Sequence, residues 1–95
     1  MGYMLDKIGT AAMYEQLAEE SAELCKAALK MARIIRNENP TPVTGVQALG
    51  DLHEEYTDVL LCADELGLMW DEDIAAAKQE RFKQRWEEAH HGSED

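Results

Sequence analysis

The two prolines of this chain, Pro40 and Pro42, stand almost side by side near its middle, and no other proline occurs in the 95 residues. Each proline disfavours helix at the residue before it and removes a backbone donor, so residues 37–43 are predicted to form a loop. Leu, Ala and Glu outnumber β-branched residues on both sides, which favours helices there. Two helices joined by so short a loop bury their apolar faces by packing antiparallel. The predicted fold class is therefore all-α, an antiparallel helical bundle.

Three main helices are predicted, over residues 11–37, 45–66 and 71–89, because these stretches repeat apolar side chains at helical spacing. Residues 1–10 are apolar without a sustained period, and they form either a short N-terminal arm or a first turn of helix. Residues 90–95 contain no core-forming side chain, so we expect this tail to fray. The chain length supports a single domain.

Several residues have the character and spacing of helix caps. Thr10 is the expected N-cap of the first helix, and Asp71 is that of the third. Thr44 and Gln47 are spaced as a capping box at the start of the second helix, and Gly67 is the expected C-cap at its end. These positions set the expected helix boundaries.

The net charge of -11 restricts the partners of this protein. A nucleic-acid duplex or an anionic membrane is a polyanion and would be repelled, whereas a metal cation is the natural counter-charge. No apolar run approaches the ~18 residues of a membrane span, and no secretion signal is indicated, so we expect a cytoplasmic protein.

Two cysteines and one glycine lie inside the predicted helices. Cys25 and Cys62 are far apart in the sequence and do not form a CxxC pair, so both are expected to be small buried hydrophobes. Gly50 lies inside the second helix, where it is unfavourable by about 1 kcal/mol relative to Ala. A close helix contact at this position would explain it.

An acidic residue interrupts the apolar stripe of the first helix. The stripe follows the i, i+3, i+4, i+7 pattern through Met13, Leu17, Leu24, Met31 and either Ile34 or Ile35. Glu20 occupies the step between Leu17 and Leu24. Because burial of an unpaired carboxylate costs several kcal/mol, Glu20 is expected to be paired or to bind a metal.

A second acidic pair follows in the second helix. Glu20 and Glu23 are spaced i, i+3, and so are Glu55 and Asp58, which lie at the edge of the second apolar stripe. Four carboxylates meeting across two antiparallel helices would repel one another, and a hard divalent cation relieves that repulsion. The absence of His and Cys from these positions argues against zinc and against a di-iron site. Mg²⁺ is the expected ion, with Mn²⁺ as a possible substitute.

A carboxylate Mg²⁺ site keeps open positions for water and substrate phosphates, which indicates phosphate-ester or phosphoanhydride chemistry. Glu19 or Glu20 is the candidate general base. Four cationic residues either hold the substrate phosphates or form local ion pairs and a solvated face: Lys30, Lys78, Arg81 and Arg85.

The run Glu19-Glu20-x-x-Glu23, followed after a proline loop by Glu55-x-x-Asp58, resembles the E-E-x-x-E and E-x-x-D signature of the MazG-like all-α nucleotide pyrophosphohydrolases. The resemblance covers roughly residues 14–66. It implies hydrolysis of a nucleoside triphosphate to a monophosphate and pyrophosphate, as in nucleotide-pool cleaning. It also implies Mg²⁺ ligands at Glu20, Glu23, Glu55 and Asp58, with Glu19 as a supporting or base carboxylate.

The family forms a four-helix unit, and this chain has three convincing helices. An N-terminal segment or a second subunit must complete the unit, so we expect a homodimer or a higher homo-oligomer. The residues that contact the nucleobase stay open, with Tyr14, Gln16 and Trp70 among the candidates.

Two alternatives remain. One is a phosphoribosyl-ATP pyrophosphohydrolase, which shares the carboxylate pattern, although Leu61-Cys62 replaces the Tyr-His pair associated with those enzymes. The other is a non-catalytic acidic helical module that dimerises or binds a basic partner.

Overall fold

The computed structural model describes residues 2–37 and 44–91, and these residues form four α-helices and no strand. The helices are α1 (Tyr3–Ile8), α2 (Thr10–Arg36), α3 (Gly45–Glu65) and α4 (Glu72–His90). The predicted all-α class is confirmed, and α2, α3 and α4 match the three predicted main helices within one or two residues at each end. Asn37 is the C-cap of α2, and the rest of the predicted proline loop lies outside the described residues.

The N-terminal segment is a helix, α1, and a glycine separates it from α2. Gly9 is the N-cap of α2 with φ 91° and ψ 163°, a conformation that L side chains rarely adopt. Thr10 is the first residue of α2, so the prediction of Thr10 as the N-cap is wrong by one position. The glycine lets the chain turn from one helix directly into the next.

The capping box predicted for α3 is confirmed. The Thr44 hydroxyl accepts the Gln47 backbone N–H at 3.1 Å, and the Gln47 side-chain oxygen accepts the Thr44 backbone N–H at 3.0 Å. These two bonds satisfy donors that the first turn of a helix otherwise leaves unpaired.

The end of α3 is a Schellman motif. Leu66 is the C-cap, one residue before the predicted C-cap Gly67, which follows it with φ 74°. The Gly67 N–H donates to the Asp64 carbonyl at 3.0 Å, and the Leu68 N–H donates to the Ala63 carbonyl at 2.9 Å.

The start of α4 is also as predicted, because the Asp71 carboxylate accepts the Ile74 N–H at 2.9 Å. It ends at His90, one residue beyond the predicted end at Ala89, and the His90 ring stacks on Trp86 with centroids 3.6 Å apart. Residues 92–95 lie outside the described part of the chain.

Helices α2 and α3 form the main antiparallel pair. The start of α3 at Gly45 lies against the Ile34 side chain near the end of α2, and Glu20 near the middle of α2 lies beside Asp58 of α3. Helix α1 packs against both. Together α1, α2 and α3 form a small helical bundle in which the N-terminal segment supplies the third helix.

A carboxylate near the end of α3 attaches α1 to the bundle. Glu65 accepts the Leu5 N–H at 2.8 Å and the Gly2 N–H at 3.2 Å. These backbone donors, Leu5 first, hold the pKa of Glu65 below its ordinary value of 4.5. Glu65 therefore stabilises the start of α1 in its ionised form.

The core of the bundle is small. Among the described residues, the buried hydrophobic side chains are Met13, Ala48 and Cys62. The predicted stripe of α2 is otherwise half-buried, and it continues through Ile34 rather than Ile35, which is 75% exposed. None of the helices in the described ranges is long and apolar enough to cross a bilayer.

Two expectations about residues inside the helices are wrong. Cys25 is exposed, because it lies one residue beyond Leu24 and the helix turns it away from the stripe. Gly50 has no close helix contact, since a Cβ added to it would meet nothing within 4 Å. The structure gives no packing reason for that glycine.

Helix α4 lies apart from the bundle. Within the described residues, no Cα of α4 lies within 8 Å of a Cα in α1, α2 or α3. The amphipathic pattern of its sequence identified an apolar face but not the surface that this face covers.

Candidate metal centre

Three carboxylates from two helices meet at one place on the bundle. Glu20 projects from α2, and Glu55 and Asp58 project from α3 one turn apart, with carboxylate oxygens that all lie within 4.8 Å of one another. The i, i+3 spacing puts the α3 pair on one side of its helix, and antiparallel packing brings Glu20 to that side. We call this group the acidic triad.

Glu20 is held in place from within its own helix. The Gln16 side-chain amide donates to its Oε1 at 2.9 Å, across an i, i+4 step. Gln16, considered from the sequence as a nucleobase contact, therefore positions a carboxylate in this structure. Its bond orients Glu20 without neutralising it.

The pKa of Glu55 reflects the crowding of negative charges around it. Burial raises this pKa first, and the negative charges of Asp58, Glu20, Glu23 and Glu54 raise it further. Glu23 thus acts on the group electrostatically, although it is not one of the three residues whose oxygens meet. A cation at the triad would relieve this repulsion.

A thiol lies next to the triad. Cys62 is buried, and burial together with the charges of Glu20, Asp58 and Glu65 raises its pKa. The thiol therefore stays protonated at neutral pH and is a poor ligand for soft metals, which bind thiolates. The ligand set is one of carboxylate oxygens.

An open cleft of about 210 Å³ extends from the triad along α2. It combines acidic and cationic side chains, and its lining includes Glu23, Lys26, Lys30, Asp51 and Glu55. The Lys26 ammonium lies 3.5 Å from the Glu23 carboxylate, an exposed i, i+3 pair of small energetic weight. Lys30, one turn further on and half-buried, has no ion pair in the described residues. The two ammonium groups are suited to binding an anionic ligand, and the neighbouring carboxylates are suited to binding its metal cation.

Some predicted residues lie elsewhere. Glu19 is exposed on α2 and outside the triad. The three α4 cations, Lys78, Arg81 and Arg85, are exposed on a helix that contacts neither α2 nor α3 in the same chain. The structure therefore brings together the triad, Glu23 and Lys30, and it leaves the α4 cations apart.

Three residues of this region were not predicted to lie beside the metal ligands, and one of them, Gln16, was expected instead to contact the nucleobase. Gln16 precedes Glu20 by four residues, Asp51 precedes Glu55 by four, and Lys26 follows Glu23 by three. Each spacing places the residue beside a predicted ligand on the same helix, so helical periodicity alone was a sufficient signal.

The donor set fits a hard divalent ion. Oxygens bound to one Mg²⁺ are about 2.9 to 4.1 Å apart, given metal–oxygen distances of about 2.0 to 2.1 Å in an octahedron. The carboxylates of the triad, within 4.8 Å of one another, reach such distances through shifts of less than about 1 Å. Among the described residues, Glu20, Glu55 and Asp58 are thus the group able to hold a single ion, and Glu23 lines the adjacent cleft together with Glu55.

No protein-family model, no curated protein and no solved structure matches this chain.

Proposed function

We propose that this protein is an Mg²⁺-dependent nucleoside triphosphate pyrophosphohydrolase that removes unwanted nucleotides from the cytoplasmic pool. The observation that carries this proposal is the meeting of Glu20, Glu55 and Asp58 within 4.8 Å across two helices. These positions coincide with the motif that resembles the MazG-like signature. Substitution of Mn²⁺ for Mg²⁺ is expected, because both ions favour carboxylate oxygens.

The chemistry requires water to attack the α-phosphorus and the bond to the α–β bridging oxygen to break, so that pyrophosphate leaves with that oxygen. When bound, Mg²⁺ supplies positive charge that neutralises phosphate oxygens and lowers the pKa of water. The triad holds the ion, with Glu23 as a further ligand.

Other charged groups of the chain bind the substrate phosphates and accept the proton of the attacking water. Lys30 and Lys26, which line the adjacent cleft, hold the outer phosphates by charge-assisted hydrogen bonds. The proton of the attacking water passes to a carboxylate, either Glu20 or its exposed neighbour Glu19. Lys78, Arg81 and Arg85 contribute to phosphate binding only where a second copy of the chain brings α4 to the site. A homodimer or a higher homo-oligomer is therefore part of the proposal.

Product analysis tests this function directly. Purified protein is incubated with Mg²⁺ and a panel of ordinary and modified nucleoside triphosphates, and products are identified by ³¹P NMR. We expect a nucleoside monophosphate and pyrophosphate in equal amounts from at least one substrate. Release of single phosphate, or no turnover of any substrate, would contradict the proposal. Phosphoribosyl-ATP belongs in the panel, because its exclusive turnover would identify the alternative enzyme.

Matched variants connect the activity to the acidic triad. Glu20→Gln and Asp58→Asn remove one charge each and should abolish turnover. Glu15→Gln removes one charge from an exposed position of the same helix and should leave turnover unchanged. Glu19→Gln identifies the base, because loss of turnover with retained Mg²⁺ binding is expected only if Glu19 accepts the proton.

A further inference from the structure

An apolar face of α4 is left uncovered within the chain. Ile74, Phe82 and Trp86 recur at eight and four residues and so share one side of the helix, where they are 54%, 69% and 58% exposed. Trp70, just before the helix, is 76% exposed, and an open cleft of about 500 Å³ lies beside it and Ile74. Large exposed apolar side chains grouped on one side of a helix mark a candidate interaction site.

The bundle has an uncovered apolar surface of its own. Leu49, Tyr56 and Leu60 of α3 are each about half exposed, and the first two border a groove of about 300 Å³ that also includes Leu24, Leu52 and His53. We call this surface the apolar flank. On α3, the helical positions of Tyr56 and Leu60 are turned well away from those of Glu55 and Asp58, so a partner on the flank leaves the acidic triad open.

The charges near the two surfaces favour a contact between α4 and the apolar flank over a contact between two α4 helices. On α4, Lys78 and Arg85 lie among the apolar residues of the face, and residues 78–85 carry four cations and one acid. Two α4 faces packed together would bring these cations close to one another. The flank lies mainly on α3, whose residues 45–65 carry six acids and no lysine or arginine, so it favours the cationic α4 face.

The exposed apolar area of the two surfaces is large enough for a stable dimer interface. A fully exposed aromatic side chain offers roughly 150–250 Å², so Trp70, Phe82 and Trp86 together offer roughly 300–500 Å² per copy at their observed exposures. If each α4 covers an equal area of flank, two reciprocal contacts bury roughly 1,200–2,000 Å², the usual range for specific interfaces. A chain with so small a core needs such burial to be stable.

We propose that α4 of one copy packs its Ile74, Phe82 and Trp86 face onto the apolar flank of a second copy, whose own α4 packs reciprocally onto the first. This dimer places α4 on the flank and leaves the acidic triad open, so it does not depend on any hydrolytic activity.

Light scattering after size-exclusion chromatography tests both surfaces. The unmodified protein should have the mass of a dimer, whereas Phe82→Glu and Tyr56→Glu should each reduce it to a monomer. Gln84→Glu adds the same charge to the opposite side of α4 and should remain a dimer. A monomeric unmodified protein, or a dimer that survives either Phe82→Glu or Tyr56→Glu, would overturn the proposed contact.

A mixture of the two monomeric variants identifies the pairing. Together they retain one intact contact, between α4 of the Tyr56→Glu chain and the flank of the Phe82→Glu chain, so a heterodimer should form. Pairing of α4 with α4, or of flank with flank, leaves no intact contact, and the mixture would stay monomeric. If either variant is unfolded alone, co-expression should recover a folded heterodimer, and failure to do so also counts against the pairing. These measurements need no substrate, so an inactive dimer would refute the proposed function alone.

Discussion

Replacing Glu20 by Gln should stabilise the metal-free protein and abolish the stabilisation that Mg²⁺ gives to the native chain. The carboxylates of the triad lie within 4.8 Å of one another. Two unit charges at that distance repel by about 0.9 kcal/mol in water and by about 3.5 kcal/mol at an effective dielectric constant of ~20. Because the site is open to solvent, the lower figure applies, and removal of one charge should raise the melting temperature by about 4 to 8 °C. The new amide retains an oxygen that accepts the Gln16 hydrogen bond.

Mg²⁺ should have the larger effect on the unmodified protein. A ligand that binds only the folded state at a hundred times its Kd stabilises it by about 2.7 kcal/mol. For a domain of this size that corresponds to a rise of about 11 to 22 °C.

Circular dichroism melts with Mg²⁺ and with EDTA measure both effects at fixed protein concentration. Glu15→Gln serves as the control and should behave as the unmodified protein does. If Mg²⁺ leaves the melting temperature of the unmodified protein unchanged, the triad is not a metal site. If Glu20→Gln is strongly destabilised in EDTA, Glu20 has a structural role instead.

Three further outcomes follow from particular residues. Gly50→Ala should stabilise the protein by about 0.5 to 1 kcal/mol, because the added Cβ meets no neighbour and helical Ala is favoured over Gly; urea denaturation measures it. Glu65→Gln should speed amide exchange at Leu5, where the carboxylate now accepts a hydrogen bond. Because the pKa of Glu65 is lowered, its stabilisation of α1 is present above pH 4.5 and is lost as the pH falls through the lower folded pKa, so the protection of the Leu5 amide, corrected for the intrinsic pH dependence of exchange, should fall in acid only in the unmodified protein. Lys30→Ala should raise KM for a triphosphate without weakening Mg²⁺ binding, as steady-state kinetics and a metal titration will show.

Local chemistry was enough to predict much of the fold. The capping box at Thr44 and the N-cap at Asp71 depend on residues three positions apart, and both are present. The attachment of α1 was not predictable in this way, because Glu65 caps a helix that begins more than sixty residues earlier in the chain. Nothing in a local pattern links those positions.

Part of the candidate site could also be predicted from the sequence. Helical spacing and the expectation that α2 and α3 pack antiparallel were enough to predict that Glu20 lies near Glu55 and Asp58. The same periodicity could not predict where α4 would lie, since an amphipathic pattern defines an apolar face and not its partner. The position of Lys78, Arg81 and Arg85 relative to the site therefore could not be predicted from the sequence.

The central claim, that the acidic triad binds Mg²⁺ together with a triphosphate, is tested most directly by calorimetric titration. Mg²⁺ is titrated into the protein in the presence of an α,β-methylene nucleoside triphosphate, which cannot be cleaved between its first two phosphates. After subtraction of the heat of Mg²⁺ binding to the analogue alone, we expect saturable, stoichiometric binding in the unmodified protein that is lost in Asp58→Asn and retained in Glu15→Gln. Binding of equal strength in all three proteins, or no binding in any of them, would contradict the claim.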